Sequence, residues 1–212
     1  MIKDMTQGSP LKLILMFCAP LMLGSLFQQF YNMADTIIVG RFVGVTALAG
    51  VGSTGSLNFL VIGFVQGICS GFSIPVAQFF GAGDHTNMRR CVANAAYLSV
   101  VITAIVTTAT LLLTGPVLHL MQTPDDIFAD AYGYIFIVFA GIPATMLYNL
   151  LSGILRALGD SKTPLYFLLF SSVVNIGLDL FLICVWQMGA RGAAWATVIS
   201  QGLSGLLCFV YI

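Results

Sequence analysis

Apolar and polar positions alternate along this chain on the scale of whole helices. A membrane-spanning helix needs about 20 mainly apolar residues, within a range of about 17–25. Six runs fit: about Leu13–Ile38, Ser53–Phe80, Cys91–Thr114, Ile127–Leu155, Pro164–Trp186 and Gly192–Ile212. The segments between them are rich in turn-forming residues. GAGDHTNMRR (81–90) is polar and ends in two arginines, and TGPVLHLMQTPDD (114–126) holds two prolines and two acids. RALGDSKTP (156–164) and QMGARG (187–192) are short and contain glycine. Residues 40–52 extend either the first helix or the second. The pattern predicts an all-α integral membrane protein, a bundle of six transmembrane helices.

Composition agrees. Hydrophobic residues make up 58% of the 212, and charged residues only 8%. A soluble domain carries about 25% charged residues. The net charge is zero, which argues against nucleic acid as a partner. The five cysteines stand singly in apolar runs and form no ligand set. His85 and His119 match no metal spacing, and no cleavable signal peptide is evident. Lys3, Lys12, Arg89, Arg90, Arg156 and Lys162 fall on one side of the predicted membrane, with only Arg41 and Arg191 on the other. The positive-inside rule then puts the N-terminus in the cytoplasm. FVYI ends the sequence with no polar flank, which points to a cut chain or a half-length unit.

Two aspartates change the picture. Asp35 and Asp179 sit inside apolar runs, where a charge costs roughly 2.5–3.5 kcal/mol at a helix centre on insertion scales. Neither is alone. Ser25, Gln28, Asn32 and Asp35, spaced three, four and three, share one face of the first helix, bordered by Tyr31. Ser172, Asn175 and Asp179 repeat the pattern on the fifth. Two such stripes imply a shared wet interior, although Ser25, Gln28 and Ser172 equally suit hydrogen bonding between helices. Asp35 lies about 9 Å inside the Arg41 end, and Asp179 about 10 Å inside Trp186, at 1.5 Å per residue. Thr197 on the sixth helix reaches a similar depth. Two nearby carboxylates in low dielectric cannot both stay ionised cheaply. A proton or a Na⁺ neutralises them, and Asn175 and Thr197 add neutral oxygens that suit a hard cation.

Other features read as packing. Pro20 removes a backbone hydrogen bond midway along the first helix and predicts a bend there, either static or a hinge. Pro75 and Pro143 read as static bends. Gly63, Gly67 and Gly71 form a small-residue ridge suited to a neighbouring helix. Thr103, Thr107 and Thr110 either line a cavity or bond their own backbone. Tyr148, Asn149 and Ser152 are pore-lining candidates. No HExxH, GxSxG or phosphate loop is present, so an enzyme is not expected.

The run PLMLGSLFQQFYNMADTIIVGRFVGVTALAGVG resembles the first-helix region of multidrug and toxic compound extrusion (MATE) transporters. GFSIPVAQFFGAGD, ILRALGDSKTP, VVNIGLDLFLI and GARGAAWATVISQ follow in the same order. The resemblance covers essentially the whole chain and is to the N-terminal lobe (residues 1–212) of a twelve-helix, two-lobe architecture, of the bacterial type. It implies export of cationic or amphiphilic compounds in exchange for H⁺ or Na⁺ by alternating access, in the cell's inner membrane, with no other cofactor. It implies a cation or proton site at Asp35, Asn175, Asp179 and Thr197, a substrate cavity that includes Tyr31 and Asn149 beside the polar stripe of Gln28 and Asn32, and a bend at Pro20. The second lobe is absent here and must come from the same gene or from self-association. Two alternatives stand beside this: a lipid-precursor or amphiphile flippase, which basic cavity residues would favour and of which the sequence shows none, and a non-transporting membrane protein that needs a partner lobe.

Overall fold

The computed structural model describes residues 10–212. Lys3 and the side chain of Lys12, both counted in the orientation above, lie outside the described residues. Among the described residues eight α-helices form a bundle: α1 Pro10–Phe42, α2 Val45–Ser53, α3 Gly55–Gly81, α4 His85–Leu120, α5 Asp125–Ala140, α6 Ile142–Ala157, α7 Lys162–Leu180 and α8 Ala190–Tyr211. A π-helical turn, Phe181–Val185, continues α7, and Trp186 N reaches back five residues to Phe181 O at 3.2 Å. Five stretches are long and apolar enough to cross a membrane, and α5 with α6 makes a sixth if counted as one broken span.

Three boundaries differ from the pattern reading. Residues 40–52 extend neither neighbour as a whole, because Gly44 at φ 120° breaks the chain and α2 stands as a separate short helix. The helix that begins at His85 runs through Pro116 to Leu120, so much of the expected 114–126 loop is helical. The fourth run is two helices that meet at 45°. Gly141 ends α5, and Pro143 opens α6 in its first turn, where a missing N–H costs nothing. The side chain of Val198 on α8 occupies the space a Cβ at position 141 would need.

Two turns share one device. Gly83 (φ 73°) and Gly159 (φ 85°) take the left-handed conformation that closes a helix. An aspartate follows each. Asp84 accepts Asn87 N at 3.0 Å and starts α4, and hydrogen bonds from Asn87 hold its carboxyl below the usual carboxylate range. Asp160 accepts Lys162 N and Thr163 N at 3.1 and 3.0 Å and Thr163 Oγ1 at 2.7 Å. Burial disfavours its charge, but these bonds outweigh burial and hold its carboxyl low as well.

The core is the meeting of α3, α5 and α6, with Val65, Ile135, Phe139, Ile142 and Met146 almost wholly buried. By contrast α1 and α4 expose most of their large apolar side chains, as helices in lipid do. The α3 face with Gly63, Gly67 and Gly71 does not pack on another helix: a Cβ at any of the three would meet nothing within 4 Å.

Candidate functional site

The two aspartates converge because α1 packs along α7 and α7 along α8. At Gly24 α1 packs on α7, its Cβ position lying at ordinary contact distance, 3.6 Å, from both Leu165 and Leu168. That contact aligns the polar stripes. Asp35 is within interaction range of both Asp179 and Thr197. Asp179 and Asn175 are buried, at 0% and 1% exposure. Their environment leaves acceptors unspent: Asp35 Oδ1, both Asp179 oxygens and Asn175 Oδ1 are buried with no hydrogen-bond partner among the described residues. Thr197 gives its proton to Ala193 O at 3.0 Å, so its lone pairs stay available. Asn175 Nδ2 is also without a partner among the described residues, so acceptors outnumber donors in the cluster, which suits a hard monovalent cation or a proton and suits nothing apolar.

An inner pocket of about 110 Å³ lies between α1, α6, α7 and α8. Beside it an open groove of about 350 Å³ runs along α1, α3 and α5. Gln28, Tyr31, Gln66, Thr197 and Gln201 line both, so the two spaces adjoin across these residues and together make up the chamber of this lobe. Asn32 and Asp35 face the groove. Pro20, Asn149 and Asn175 face the pocket. Ser25 and Ser172 also line the pocket, with hydroxyls turned back to Leu21 O and Leu168 O. Asn149 donates to Thr145 O at 2.8 Å. Thr103, Thr107 and Thr110 line neither space; Thr110 bonds Val106 O and Thr107 O.

Four lining residues, Tyr134, Arg156, Gln201 and Ser204, were not among the site candidates read from the sequence. Tyr134 on α5 stands near both aspartates. Gln201 reaches Tyr31 and accepts a hydrogen bond from Thr145. Thr197, Gln201 and Ser204, spaced four and three, form a third polar stripe that the sequence does carry. Arg156 also lines the pocket, against the expectation of no basic residue in the cavity.

A family model for MatE matches residues 20–181. The chain is 33% identical over 209 residues to YpnP, a probable multidrug resistance protein of Bacillus subtilis, covering 99% of this chain and 47% of that protein. It is 34% identical over 201 residues to YoeA, another probable multidrug resistance protein of the same organism, covering 93% and 43%. Among solved structures, the outward-facing conformation of a multidrug resistance MATE family transporter of the MOP superfamily matches at TM-score 0.91 and 28% identity, over 96% of this chain and 45% of that one. The chain therefore spans about half the length of the curated relatives it matches.

Proposed function

Because the chain belongs to the MATE family of multi-pass membrane transporters, we propose that it is the N-terminal lobe of an antiporter that exports cationic or amphiphilic compounds in exchange for H⁺ or Na⁺. The observation that carries this reading is the set of buried acceptor oxygens on Asp35, Asn175 and Asp179 that have no donor. In the proposal, a coupling ion binds there as a co-substrate. Two unit charges 4 Å apart repel by about 4 kcal/mol at an effective dielectric of 20. One bound monovalent cation removes that repulsion, so loading and unloading favour different packings of α1 against α7. Cargo occupies the chamber along Gln28, Tyr31, Asn32 and Asn149, and Pro20 is where α1 bends as access changes. The lobe sits in the inner membrane with its N-terminus in the cytoplasm, and a second six-helix lobe, from the same gene or a second copy, completes the pathway.

The test is transport in proteoliposomes, by the chain alone and with a second lobe supplied. A ΔpH or Na⁺ gradient is imposed and a fluorescent organic cation is followed. Gradient-driven uptake should disappear in Asp179→Asn and Asp35→Asn. Uptake unchanged by Asp179→Asn sinks the assigned site. The flippase reading draws support from one observation, the placement of Arg156.

A further inference from the structure

Charge is separated along the chamber. The lining of the groove contains Asp35 and no base. Among the described residues, the lining of the pocket contains Arg156 and no acid. Thr145 lies on the groove and Arg156 on the pocket, eleven residues apart on the single helix α6. At 1.5 Å per residue the two ends are about 16 Å apart.

The Arg156 guanidinium stands near Tyr148, Cys69 and Cys208. Asp160 is four residues further on, and its carboxylate is engaged at the start of α7. Hydrogen-bond donors are also available here. Tyr148 makes a long bond of 3.5 Å to Pro164 O and also reaches Ser152. Ser161 lines the same end. A guanidinium beside hydroxyls, with no acid in the pocket lining among the described residues, offers the donors an oxyanion accepts.

We infer that Arg156, with Tyr148 and Ser161, binds the carboxylate or phosphate of an amphiphilic cargo, so that the chamber selects zwitterionic or anionic amphiphiles over simple cations. The inference rests on reading the chamber as the cargo cavity, but not on ion coupling. It is therefore tested at equilibrium, without any gradient.

The probes are rhodamine B, a cationic dye with a free carboxylate, and its ethyl ester, which lacks the anion. Binding of each to the protein in phosphatidylcholine nanodiscs is measured by fluorescence anisotropy. One charge-assisted, bidentate contact predicts about tenfold tighter binding of the free acid. Arg156→Gln should bring the ratio of the two affinities to about one, and Arg156→Lys should keep part of it. A ratio of one in the unaltered protein overturns the inference, whatever the variants do, and so does a ratio that survives in Arg156→Gln. An arginine that only anchors the helix at the membrane surface leaves the ratio unmoved. Repeating the measurement with phosphatidylglycerol in the nanodisc separates two sources of the anion. Loss of the ratio in the unaltered protein identifies a lipid headgroup as occupant, and an unchanged ratio identifies a soluble amphiphile; each supports the site.

Discussion

Replacing Asp160 measures how firmly α7, and with it Asn175 and Asp179, is held. Asp160 is 4% exposed and accepts three hydrogen bonds from Lys162 and Thr163. Losing a capping side chain costs about 1 kcal/mol, and a buried donor left unpaired adds about 1–3 kcal/mol. Lys162 is exposed and its amide recovers a water partner, whereas Thr163 is half-buried. Asp160→Ala should therefore cost about 2–3 kcal/mol. Asp160→Asn keeps an acceptor oxygen for the two amides and should cost about 1 kcal/mol. The folded carboxyl titrates below its unfolded value. Its contribution is thus fully present above the unfolded value of about 3.9 and is lost as the pH falls through the folded one. The gap between the unaltered protein and Asp160→Asn should stand at pH of about 7 and close below about 4. Unfolding in detergent micelles, followed by circular dichroism at both pH values, gives the numbers. An Asp160→Ala protein within about 0.5 kcal/mol of the parent, or a gap that survives acid, refutes the reasoning.

Further outcomes follow from packing and backbone geometry. Gly141→Ala forces a methyl into the side chain of Val198 and should lower stability by about 1–3 kcal/mol in the same melts, while Gly67→Ala on the open face of α3 should not. Gln122 sits at φ 53° in the turn after α4, so Gln122→Gly relieves a left-handed conformation worth roughly 1–2 kcal/mol and should raise the melting temperature. An unchanged or lower value removes that account of the turn.

The polar stripes on the first and fifth apolar runs were legible because helical spacing puts Gln28, Asn32 and Asp35 on one side and Asn175 and Asp179 on one side, whatever the tertiary arrangement. The Gly-Asp pairs at 83–84 and 159–160 were equally visible as turns. The break at Gly141 was not, since glycine and proline are both tolerated inside membrane helices, and it is the presence of Val198 opposite that decides. The ridge of Gly63, Gly67 and Gly71 looks in sequence like a packing surface, but spacing says nothing about which helix, if any, lies across from it. Arg156 reads as a flanking charge, and only the direction of α6 turns it into a wall of the pocket.

The π-helical turn at Phe181–Val185 stores one residue of surplus length directly after Asp179. An α-helix advances about 100° per residue. If that surplus passes one turn toward Asn175, Asp179 swings by about 100° around the helix axis while both ends of the span keep their positions. The carboxylate would then leave Asp35 without any helix sliding through its neighbours, by an exchange of hydrogen-bond register within a single turn.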